Sequence, residues 1–172
     1  MNKLRKQALA LIATRFLVAL AVFAGGLAAA QAAASATNPV HVSGTWEASD
    51  FGSLSCAPNG SPLILRCTTT GFVSQYTGSL TGRSISNFEQ IIDCKTGHIL
   101  GHGTETFTGS IEGGVGSGSL TWGIHFDSAF DCLTFGVSGF SARAVVSSGT
   151  GTLAGLKGSI QFGDLTYDGE LR

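Results

Sequence analysis

Period-two alternation of apolar and polar residues runs through the chain beyond residue 36, and only a β-strand sends alternate side chains to opposite faces. From Val40 onward one face carries Val40, Val42, Gly44, Trp46 and Ala48, and the other His41, Ser43, Thr45 and Glu47. The same sorting separates Leu120, Trp122, Ile124 and Phe126 from Ser119, Thr121, His125 and Asp127. It also separates Leu165, Tyr167 and Leu171 from Thr166, Asp168 and Glu170. Strands with one apolar and one polar face belong to a sheet that is wet on one side. Further strands are expected over 63–69, 72–80, 85–93, 103–111, 139–146 and 150–162, giving eight or nine in all.

Turn signals punctuate these segments: Asn59-Gly60, Thr81-Gly82, Thr96-Gly97, the run from Gly113 to Gly116, Ser148-Gly149 and Asp168-Gly169. Connections this short favour antiparallel neighbours, because a parallel crossover needs a dozen or more residues and usually a helix. The 25 glycines and single methionine argue the same way, against a helical bundle. Antiparallel strands in this number hide their edges by closing or by stacking as two sheets. Closure is the preferred reading, since glycines inside strands, such as Gly44, Gly78, Gly109, Gly123, Gly155 and Gly158, permit the coiling a barrel demands.

Residues 1–36 read instead as an export signal. Lys3, Arg5, Lys6 and Arg15 make a basic start, Phe16 to Ala30 is apolar, and Ala30-Gln31-Ala32 or Ala34-Ser35-Ala36 offers small residues for cleavage. The apolar run is short for a stable bilayer span, so no integral membrane span is expected after cleavage. No cysteine follows it directly and no twin-arginine pair precedes it. The expectation is a secreted or extracytoplasmic single domain over 37–172. Four of the ten Lys and Arg lie in the leader, leaving six basic against eleven acidic residues and a net charge of −5. An acidic domain with scattered basic residues is a poor partner for nucleic acid or anionic membranes.

Cys56, Cys67, Cys94 and Cys132 form an even set in an oxidising compartment, which favours two disulfides over a metal site lacking any CxxC pair. Three pairings are possible. The preferred one joins Cys56 to Cys67 around a short loop through Pro58-Asn59-Gly60, and Cys94 to Cys132 across two strand ends, each adding roughly 2 to 4 kcal/mol. No metal and no cofactor is expected. His98 and His102 sit on a turn entering a strand, where a helical four-residue spacing has no meaning. No GxSxG elbow occurs, and Gly149-Thr150-Gly151-Thr152-Leu153-Ala154-Gly155 lacks the strand, helix and acidic partner of a dinucleotide loop. Asn59-Gly60-Ser61 is a glycosylation sequon, meaningful only in a eukaryotic source.

Over 104–111 the outward set is Thr104, Thr106, Thr108 and Ser110, so Glu105, Phe107, Gly109 and Ile111 point inward. A carboxylate aimed at an interior is a candidate acid or base, which singles out Glu105 as the candidate catalytic residue. Its bland role is a hydrogen-bonded or wet carboxylate at a strand end. Tyr76, Phe107 and Trp122 are the candidate ligand-lining residues, although Tyr76 suits the core better than a lining role. Arg143 lies opposite Phe140, Ala142, Ala144 and Val146, on the solvent side.

Two segments, Gly103-Thr104-Glu105-Thr106-Phe107-Thr108-Gly109 and the stretch from Ser148 to Gly158, together resemble an uncharacterised bacterial family related to the allene oxide cyclase barrel, and more distantly the plant dirigent proteins. The resemblance covers about residues 72–171 and implies an eight-stranded antiparallel barrel whose lumen receives an apolar substrate. Glu105 is the one residue that matches the cyclases' polar lumen set, and loosely. The four cysteines and the insertion between Cys56 and Cys67 depart from that pattern. Three functions follow: a secreted, disulfide-stapled barrel binding a small apolar ligand or an envelope partner, which is preferred; a cyclase or isomerase assisted by Glu105; or a structural module whose lumen Trp46, Phe107, Trp122 and Phe126 fill. An aromatic-lined cavity above about 300 Å³ would separate the ligand-taking readings from the filled one.

Overall fold

A computed structural model describes residues 38–113 and 115–172, so the expected leader lies outside the described residues. The described chain is all-β, with nine strands: β1 Val40–Asp50, β2 Ser53–Ser61, β3 Ile64–Gly78, β4 Leu80–Asp93, β5 His98–Ile111, β6 Gly116–Asp131, β7 Gly136–Gly149, β8 Gly158–Gly163 and β9 Thr166–Leu171. All pairings are antiparallel. Eight strands close a ring of hydrogen bonds, because β1 pairs with β9 on one side and β3 on the other. The result is barrel-like. β2 stands outside the ring and continues the β1 edge along the upper half of β3.

Alternation is obeyed where it was clearest: Val42, Leu120, Trp122, Phe107, Ile111, Tyr167 and Leu171 are buried, and their sequence neighbours face water. Five expectations change. Residues 53–61 form β2 rather than a loop, paired residue by residue with β3 so that Cys56 sits opposite Cys67. The segments 63–69 and 72–80 are one strand bent by a bulge between Thr70 and Phe72. Thr81-Gly82 and Asp168-Gly169 lie within β4 and β9, and the turns fall instead beside Ser79 and at Asp164-Leu165. Leu165 is exposed with a left-handed φ of 58°, because it sits at the tip of the β8–β9 hairpin. Residues 150–157 carry one turn of 3-10 helix at Gly151–Leu153, whose Leu153 plugs the lower end of the ring.

The seam where β1 meets β3 is crowded. Gly44 of β1 lies opposite Gly78 of β3, and the Tyr167 hydroxyl reaches between them. That hydroxyl accepts from the Leu80 amide at 2.7 Å and donates to the Thr77 carbonyl at 3.1 Å. A side chain at Gly44 would overlap both the Thr77 carbonyl and the tyrosine. Glycine is required there for space.

The ring is uneven in height. β3 to β6 run 14 to 16 residues, whereas β8 and β9 have six each. At about 3.3 Å per residue the long strands stand well above the short ones. The lower half is filled by Leu80, Phe107, Leu120, Trp122, Ile160 and Leu171. The upper wall carries a second apolar cluster around Cys67, Ile92 and Ile99 and both disulfides, Cys56–Cys67 and Cys94–Cys132. The latter joins two similar hairpins, Asp93-Cys94-Lys95-Thr96 and Asp131-Cys132-Leu133-Thr134. In each, the aspartate Oδ1 accepts from the backbone amides two and three residues on, which holds both carboxyl groups below their usual range.

Candidate functional site: an aromatic cavity floored by Glu105

Above the filled half lies a cavity of about 460 Å³. Its wall is aromatic because the inward positions of successive strands carry rings: Phe72 on β3, Phe88 on β4, Phe126 on β6, Phe140 on β7 and Trp46 on β1. These rings touch in sequence, edge to face or tilted, from Phe72 to Phe88 at 5.7 Å, to Phe126 at 5.3 Å, to Phe140 at 6.0 Å and to Trp46 at 5.3 Å. Each such pair adds about 0.5–1.5 kcal/mol beyond its burial. The collar is therefore stiff. Gly101 on β5 makes room for it, since a Cβ there would run into the Phe126 ring.

The cavity opens sideways. Among the described residues no strand bridges β2 to β7 above the β8–β9 turn. Around this slit stand Phe51, Leu54, Phe135, Val137 and Leu165, all exposed and all facing the cavity. Apolar side chains clustered in water at a pocket mouth mark a binding groove far more often than scattered ones do.

Glu105 lies on the cavity floor, only 5% exposed. Its direct cross-strand partners are Ser86 on β4 and Trp122 on β6. The Trp122 indole N–H donates to Oε2 at 3.0 Å, and the Tyr76 hydroxyl donates to Oε1 at 2.6 Å. Tyr76 starts two strands away on β3. It reaches across β4 because the inward positions there, Gly82, Ser84 and Ser86, are small. Burial pushes the Tyr76 phenol well above its usual range, and the adjacent Glu105 pushes it further, so the phenol stays a donor. The Ser84 hydroxyl, buried below, has no hydrogen-bond partner among the described residues.

The structure brings together Glu105, Tyr76 and Trp122, but only the first two reach the cavity. Trp122 and Phe107 are fully buried beneath the floor, their rings stacked at 6.1 Å. Arg143 is on the outer surface, as expected. Sequence reasoning missed Ser86 opposite Glu105 and Ser74 in the cavity lining, and Phe88, Phe135 and Phe140 in the wall and rim. Inward parity with Ser84 was the available signal for Phe88, hidden because Ile85 points outward on the same strand. Among the described residues no three His, Cys, Asp or Glu side chains converge on a metal position, and no helix is long and apolar enough to cross a membrane.

No family model and no curated protein matches the chain. A solved structure that is similar comes from Shewanella oneidensis and is a protein with unknown function from the DUF3224 family. It superposes with a TM-score of 0.54 at 16% identity, covering 78% of this chain and 98% of the other. The likeness is one of fold. Function has to be argued from the site.

Proposed function

We propose that the protein is an exported, disulfide-stapled barrel of the allene oxide cyclase-like type that holds a small apolar ligand in its upper cavity. The observation that carries this reading is the 460 Å³ aromatic cavity open to solvent through an apolar slit. Its volume falls within the range of about 300–1,000 Å³ usual for small-molecule sites. Full filling of the ring, as a purely structural module would have it, stops at the level of Phe107 and Trp122. Export is supported by the basic and apolar start of the sequence, and by two disulfides in a chain with no free cysteine among the described residues.

Native mass spectrometry of the protein from its own culture medium, before and after denaturation, tests this. A bound molecule of a few hundred daltons, lost on denaturation, is the expected result. A bare chain that also fails to take up any apolar probe would overturn it.

A cyclase or isomerase reading has one specific observation behind it, a carboxylate on the floor of an aromatic cavity. In that reading Glu105 relays a proton to or from a confined substrate. It requires the released molecule to be converted by the native protein and not by Glu105→Gln.

A further inference from the structure

We infer that the cavity takes its ligand polar end first and selects a hydrogen-bond-donating head group, such as a hydroxyl, over a carboxylate. This rests on the ligand-binding reading above and adds orientation and head-group chemistry to it.

The acidic group of the cavity is at its floor. Glu105 lies there with Tyr76, Ser74 and Ser86, whereas the aromatic wall and rim add only the uncharged polar side chains of Thr69, Gln90 and Ser128. Among the described residues no Lys, Arg or His lines the cavity. A carboxylate seated there would face Glu105 with no cation to offset it, and buried like charges are strongly unfavourable. The two strong donors at the floor, the Tyr76 hydroxyl and the Trp122 indole N–H, are already committed to Glu105. Each Glu105 oxygen accepts one bond from them and keeps a lone pair for another donor. The floor therefore offers spare acceptors on Glu105, and its uncommitted donors are the neutral hydroxyls of Ser74 and Ser86. A ligand hydroxyl pairs with those acceptors, and a bare hydrocarbon leaves them unmet. The opposite orientation, apolar end down, would bury Glu105, Ser74 and Ser86 against hydrocarbon. The apolar rim of Phe51, Leu54, Phe135 and Leu165 suits the tail.

Three probes sharing one ring system test this by titration calorimetry on the oxidised protein: 1-naphthaleneethanol, 1-naphthaleneacetate and 1-ethylnaphthalene. The alcohol is expected to bind about tenfold or more tighter than the acetate, and also tighter than the hydrocarbon, as the loss of one buried polar pairing implies. In Glu105→Gln, whose neutral amide both donates and accepts, the alcohol-to-acetate ratio should fall to about threefold or less. Equal binding of alcohol and acetate by the native protein overturns the head-group inference and leaves ligand binding standing. The same holds if the ratio is unchanged in a folded Glu105→Gln. If none of the three binds, the ligand-binding reading falls with it. The comparison on the native protein needs no variant, so a Glu105→Gln that fails to fold does not remove the test.

Discussion

Glu105 is held by two aromatic donors that come from different directions, and this decides how the molecule responds to alkali. Tyr76 and Tyr167 are the chain's two tyrosines, and burial is the first cause that raises both phenols above the usual value near 10. A phenol whose folded value is raised stabilises the fold while protonated. That contribution is whole below pH 10 and is lost as pH climbs through the folded values. Tyrosinate absorbance at 295 nm should therefore stay flat through pH 10 in the native protein and appear only at higher pH, together with loss of β-sheet circular dichroism. In urea both tyrosines should titrate near 10. One equivalent of tyrosinate at pH 10 with the fold intact would show that Tyr76 is not shut against Glu105. The inward aim of Glu105 was readable from alternation with Thr104 and Thr106. Its partners were not, because sequence parity says which face a side chain takes but not which strand lies opposite. Tyr76 reaches Glu105 only through the small residues of an intervening strand.

At the level of elements, the strands that the sequence displayed best have one wet face, namely β1, β5 and β6. β2 escaped notice because Ser53 to Ser61 is exposed almost throughout and contains Pro58, so no burial pattern marks it. What holds β2 in place is its pairing with β3 and the Cys56–Cys67 bond. The two disulfides close loops of different length, with separations of 11 and 38 residues. The chain-entropy relation then assigns about 3 kcal/mol to the first and about 4 kcal/mol to the second. Paired Cys→Ala variants should lose stability in that order by urea unfolding. The Cys94 and Cys132 pair should also weaken apolar-ligand uptake, because the two hairpins it joins stand at the head of β4 to β7, above the cavity. If the Cys56 and Cys67 variant proves the more damaging, β2 contributes more than an appended edge.

For the molecule as a whole, the decisive event is closure of the ring, and closure was expected from composition more than from any one segment. Glycines in strands suggested coiling, but the sequence does not mark Gly44 and Gly78 as partners, since 34 residues and two turns separate them. In the fold they meet where β1 joins β3, and the tyrosine from β9 bonds across the seam to Thr77 and Leu80. This point ties the chain's first strand to its last. Gly44→Ala forces a methyl group into the Thr77 carbonyl and the Tyr167 ring, both held from several sides. Relief requires opening the β1–β3 seam or expelling the tyrosine, so the cost should reach about 3 kcal/mol, the upper part of the usual range for overpacking. Gly123→Ala on β6 is the matched control, because a Cβ there meets nothing within 4 Å. With the entropy of a strand glycine removed, that variant should be neutral or slightly more stable by urea unfolding. Equal effects from the two substitutions would mean that strand glycines matter here only through chain entropy. A large loss confined to Gly44→Ala would place the weak point of the ring at the seam where the two ends of the domain are joined.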